Sequence, residues 1–110
     1  MKSWTEILIS PSDTIFRAAQ VLNTSGNRIV LVVDDFGKLV GVITDGDIRR
    51  ALENFGEDIF KYYAKDIMTY NPMTVELGTR MDDALLLMEK NSISSLLVKD
   101  AENIIGLVKR

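Results

Sequence analysis

The stretch Gly41-Val42-Ile43-Thr44-Asp45-Gly46-Asp47-Ile48-Arg49-Arg50 carries the side chains of this 110-residue chain best placed to do chemistry. A β-rich run ends at Ile43 and a helix is expected to begin near Asp45, so hydroxyl, carboxylate and guanidinium groups meet at a strand-to-helix junction. Free backbone N–H groups and the positive end of a helix dipole favour anions at such a junction. The Thr44 hydroxyl can donate to a phosphate. The Asp47 carboxylate offers only acceptors and suits a vicinal diol, which offers two donors. Asp45 and Gly46 lie between them and complete the candidate binding set, with Arg49 or Arg50 as counter-charge. Thr-x-x-Asp is equally a capping box, in which Thr44 caps the helix and Asp47 reaches back to the cap N–H. The same spacing recurs at Thr79-Arg80-Met81-Asp82, where no ligand is needed. Gly46 costs a helix up to about 1 kcal/mol relative to alanine unless something must approach its backbone closely. Spacing alone leaves the binding and capping readings both open.

Other chemistries find little to work with. The chain has no His and no Cys, which removes thiolate nucleophiles, disulfides, Cys/His zinc sites, hydroxyl–imidazole triads and imidazole acid–base catalysis. Asp34, Asp35 and Asp45 do not make a metal site, because the first two occupy a hairpin turn where Asp bonds its own backbone. No G-x-x-x-x-G-K-[ST] phosphate loop is present, and no carboxylate pair has a second catalytic group beside it. We therefore expect no catalytic residue, no metal and no required cofactor. With 13 basic against 16 acidic residues, a net charge of -3 and no basic stripe, nucleic acid is not an expected partner. The longest apolar run, Ile29 to Val33, is far short of the roughly 20 residues that span a bilayer, so no membrane role is expected and the location expected is cytoplasmic.

The junction sits inside an internal repeat. Leu31 to Thr44 (LVVDDFGKLVGVIT) matches Leu96 to Lys109 (LLVKDAENIIGLVK) at an offset of 65, pairing Val33 with Val98, Asp35 with Asp100 and Gly41 with Gly106. Upstream, Ile15, Ala18 and Leu22 match Met81, Ala84 and Met88 at an offset of 66, which places the loss of one residue between helix and strand of the second copy. Each copy reads as strand, helix, strand, hairpin turn, strand and helix. The opening strands are Ile7 to Ser10 and Met73 to Glu76, and Ser12, Asp13 or Thr14 caps the first helix. Phe55, Ile59, Phe60, Tyr62 and Tyr63 are too apolar for a free linker and are expected to form a short helix covering the core. The fold class is α/β (α+β). Two pseudo-symmetric β-α-β-β-α repeats, 1–60 and 61–110, are expected to pack sheet to sheet, because neither alone buries enough surface to be comfortably stable.

LVVDDFGKLVGVITDGD from Leu31 to Asp47, Asp66-Ile67-Met68-Thr69 with Asn71-Pro72-Met73-Thr74-Val75, and Ile104-Ile105-Gly106-Leu107-Val108 together resemble a tandem pair of CBS domains, or Bateman module, over nearly the whole chain. The resemblance implies a regulatory, non-catalytic module whose clefts hold an adenosine-containing ligand: AMP, ADP, ATP or S-adenosylmethionine. It implies that Thr44 contacts phosphate, that Asp47 holds the ribose diol, and that residues around Ile9 and Ser10 line the base pocket. It also implies a homodimer formed through the CBS pairs. The second copy departs from the pattern, with Lys109 in place of the hydroxyl residue and the sequence stopping at Arg110 before the motif aspartate and the last helix. One competent cleft is therefore expected, in a fragment of a longer protein.

The opening Met1-Lys2-Ser3-Trp4 and the stretch TDGDIRRAL resemble CBS pairs at the N-terminus of bacterial sugar-phosphate nucleotidyltransferases, so a C-terminal catalytic domain of that kind is expected. The same TDGD-x-RR stretch is similar to the CBS pair of arabinose-5-phosphate isomerases, the alternative parent. The alternative function is a dimerisation scaffold whose cleft stays empty.

Overall fold

The computed structural model describes residues 7–26, 29–70, 72–93, 95–101 and 103–109. Met1-Lys2-Ser3-Trp4, Asn27 and Arg110 lie outside them, as does the side chain of Lys109. The chain divides into two compact units, Met1–Asn71 and Pro72–Arg110. Residues 61–70, which the sequence places at the head of the second copy, are part of the first unit.

In the first unit, β1 (Leu8–Ile9) leads through α1 (Ile15–Ser25) to β2 (Ile29–Val33), β3 (Leu39–Thr44) and α2 (Asp45–Phe55). A 3-10 turn over Gly56–Lys61, α3 (Ala64–Ile67) and β4 (Thr69–Tyr70) complete it. The strand order is β1-β2-β3-β4, with β1 parallel to β2 and the other pairs antiparallel. Val30, Leu31 and Val32 are each fully buried, which explains why β2 reads as a continuous apolar run rather than an alternating one. The apolar spacing of α1 buries Ile15, Ala18, Val21 and Leu22.

Of the three capping candidates, Thr14 caps α1, its hydroxyl accepting from the Arg17 N–H at 3.1 Å. Asp13 instead accepts from the Ser10 N–H at 2.8 Å. The aromatic segment only partly follows expectation. Ile59 is buried and Phe55 stacks on Tyr62 with ring centroids 4.1 Å apart, but Phe60 and Tyr63 are exposed. The segment does not form one continuous helix: Phe55 ends α2, Phe60 lies in the 3-10 turn, and Tyr62 and Tyr63 lie between that turn and α3, so the four aromatics do not share a face.

The second unit contains β5 (Thr74–Glu76), α4 (Met81–Lys90), β6 (Ser95–Asp100) and β7 (Asn103–Lys109), in strand order β5-β6-β7. Ala84, Met88 and Leu96 form its core. The Thr79 capping box does not form. Arg80 occupies the N-cap position without a side-chain cap bond, and the Thr79 hydroxyl donates to the Glu76 carbonyl at 2.7 Å.

Strand register also moves the deleted residue. Leu8 pairs with Leu31 and Thr74 with Leu97, and Val32 pairs with Gly41 as Val98 does with Gly106. The offset of 66 therefore persists through the strand before the turn (Val32 to Val98) and becomes 65 only after it (Gly41 to Gly106). The missing residue lies in the hairpin turn, and Val33 corresponds to Lys99 rather than to Val98. Hairpins absorb such changes because only the turn, and not the buried face, has to adjust.

The offset of 66 also aligns Gly26, at φ 73, with Ser92, at φ 55. Both follow a helix in the left-handed region, where a Cβ is penalised. Ser92→Gly is expected to stabilise the second unit by about 0.5–1 kcal/mol, measured as a rise in the urea midpoint.

Candidate functional site

The junction singled out in the sequence lies in the first unit, where β3 ends and α2 begins. Thr44 is the N-cap of α2, in an extended backbone conformation. Its hydroxyl accepts from the Asp47 N–H at 3.4 Å, while Asp47 Oδ2 accepts from the Thr44 N–H at 2.9 Å and from the Thr44 hydroxyl at 3.2 Å. The capping box is thus fully formed, and Asp45 and Asp47 put two acidic residues in the first turn, the favourable end of the helix dipole.

Two further groups converge on Asp47. Arg50 Nη2 donates to Oδ1 at 2.6 Å, and the Thr69 hydroxyl donates to the same oxygen at 3.5 Å. The carboxylate is 8% exposed, whereas the Arg50 side chain is 66% exposed. Arg50 therefore covers a buried charge from the solvent side. What approaches Gly46 closely is this same guanidinium, since a Cβ on Gly46 would lie 3.2 Å from Arg50 Nη1.

The structure brings Thr44, Asp45, Gly46 and Asp47 together but does not bring Ile9 and Ser10 to them. Thr44 pairs with Ile29, whereas Ile9 pairs with Val32, two strands across from β3 and three residues further along β2. At roughly 3.3 Å per residue that is about 10 Å along the strand direction. Ile9 is 5% exposed, inside the core. The Ser10 hydroxyl bonds that of Ser12 at 3.0 Å.

Thr69 is the site residue that sequence reasoning did not assign. The signal was present in the Asp66-Ile67-Met68-Thr69 element, but only the pairing of Val42 with Thr69 places that hydroxyl near Asp47, 22 residues away in sequence. Asp66 serves locally, accepting from the Tyr63 N–H at 2.8 Å. Among the described residues no group of three or more His, Cys, Asp or Glu side chains converges as metal ligands, and no helix is long and apolar enough to cross a membrane.

The profile of the CBS domain matches residues 4–54 and again 64–110. The arabinose 5-phosphate isomerase KdsD of Pseudomonas aeruginosa is 37% identical over 86 residues, which cover 78% of this chain and 26% of that protein. The first relatives matched are spanned over 26% to 33% of their length. The crystal structure of CBSX2 in complex with AMP superposes with a TM-score of 0.79 at 29% identity, covering 96% of this chain and 83% of that one. The CBS domain pair of MJ0100 in complex with 5′-methylthioadenosine and S-adenosyl-L-methionine gives 0.80 at 30% identity, covering 94% and 83%.

Proposed function

Since this chain belongs to the CBS domain family and carries two copies of the domain in tandem, we propose that it is a regulatory module that binds an adenosine-containing ligand and controls an attached sugar-phosphate isomerase. The observation that carries the ligand reading is the Asp47 carboxylate, held beside the Thr44 hydroxyl at the N-terminus of α2. A diol donates to the first, and the second donates to a phosphate. That similar CBS proteins were solved with AMP or with S-adenosyl-L-methionine supports the adenosine class. The isomerase partner rests on the kinship to KdsD. The nucleotidyltransferase expected from the opening residues draws no support from that relative. Ligand control of the attached domain requires only that the ligand bind its two states with different affinity.

A second reading, the dimerising scaffold, is favoured by α4, where Met81, Leu85 and Leu86 are 58%, 40% and 64% exposed. One experiment separates the two. AMP, ADP, ATP and S-adenosylmethionine are titrated calorimetrically into the chain and into Asp47→Asn, with sedimentation measured in parallel. Saturable binding that weakens roughly tenfold or more in the variant is the expected result. Silence for every ligand with a stable dimer establishes the scaffold instead.

A further inference from the structure

The donors around Asp47 can be counted against what its carboxylate can accept. An ionised carboxylate has about four lone-pair sites, and Asp47 already receives the Thr44 N–H, the Thr44 hydroxyl, Arg50 Nη2 and the Thr69 hydroxyl. A ribose diol brings two further donors, so the chain's own groups must give way. The Thr44 N–H is fixed by the cap, and on the solvent side it is the Arg50 guanidinium that stands over Oδ1. It is also the shortest of the four and the only donor that itself carries a charge.

We propose that Arg50 is the selectivity residue of this site. It closes Asp47 in the free protein, must leave when a ribose enters, and recovers its lost ion pair only from a ligand that carries a phosphate. The inference rests on the adenosine reading above and narrows it to nucleoside phosphates over uncharged nucleosides. Arg50 suits the exchange because its side chain is long, mostly exposed and always charged, and because it lies over the first turn of α2, where a phosphate is favoured. Gly46 provides its seat. Its φ is not in the left-handed region, so a Cβ added there strains no backbone and acts only by pushing the guanidinium tip aside by a few tenths of an ångström.

The test compares AMP with adenosine, which share the diol and differ in the phosphate, on the unmodified chain, Arg50→Gln, Gly46→Ala and Arg49→Gln. The unmodified chain is expected to prefer AMP by roughly tenfold or more. Arg50→Gln weakens AMP and strengthens adenosine, bringing the ratio near unity. Gly46→Ala, which crowds the guanidinium without removing its charge, strengthens adenosine and leaves AMP bound. Arg49→Gln leaves the ratio unchanged. Adenosine binding seen only in Arg50→Gln also supports the closing role. AMP binding with a ratio that Arg50→Gln does not move overturns the role of Arg50 and leaves the adenosine reading intact. If none of the proteins binds either ligand, both fall.

Discussion

Asp47→Ala is expected to destabilise the first unit by about 2 kcal/mol and to abolish binding of adenosine ligands together. Removing the carboxylate takes away its half of the reciprocal cap and leaves the Thr44 N–H, part-buried where it meets Asp47, without its acceptor, at a cost of about 1–3 kcal/mol, while the Thr44 hydroxyl can still accept from the backbone N–H of residue 47. Arg50 contributes little to the loss, because its side chain is two-thirds exposed and simply returns to water. Urea unfolding followed by far-UV circular dichroism reads the first effect, and calorimetry below the transition reads the second. Asp47→Asn keeps one acceptor oxygen for the Thr44 N–H and is expected to recover about half the stability while binding stays weakened roughly tenfold or more, because the amide offers a single acceptor oxygen and no charge. An alanine variant as stable as the parent would show that the capping box contributes nothing, and the geometry of the junction would need another explanation.

Gly41→Ala is expected to cost about 2–3 kcal/mol, near the upper end for overpacking. An added Cβ would lie 2.8 Å from Met68 Sδ, 2.9 Å from Met68 Cγ and 3.0 Å from the Thr69 carbonyl oxygen. The Met68 side chain is 8% exposed and enclosed by the core. The carbonyl belongs to the backbone of β4, whose pairing of Gly41 with Tyr70 and Val42 with Thr69 brings the two strands together. Relief therefore requires β4 to move off β3. That movement withdraws the Thr69 hydroxyl from Asp47, so the variant also perturbs the site. Loss of hydrogen-exchange protection at Val42 and Tyr70, alongside a lowered unfolding midpoint, is the measurement. An unchanged midpoint would mean that β4 is held less tightly than its contacts indicate.

Local chemistry was readable in the sequence. The duplicated β-α-β-β pattern followed from apolar periodicity, and the Thr44-to-Asp47 junction followed from a strand run ending at a capping signal. Both depend on residues within a few positions of each other. The same local rules allowed a second capping box at Thr79, and there the helix began at Met81 with Arg80 at its cap position, so the spacing never acquired its geometry. They also placed the deleted residue before β6, because side-chain identity aligned Val33 with Val98 whereas the register aligned Val32 with it.

Pairing across the sheet settled what spacing could not. Ile9 and Ser10 lie away from the junction because β2 stands between β1 and β3, and because β1 joins β2 at Leu31 and Val32 rather than at Ile29. Thr69 enters the site because β4 returns beside β3. Arg50, one of two adjacent arginines that the sequence could not tell apart, is the one on Asp47 because residues three apart on a helix share a face and neighbouring residues do not. Short-range spacing specifies which groups are available. Long-range register, fixed by burying one set of side chains in a common core, determines which of them meet.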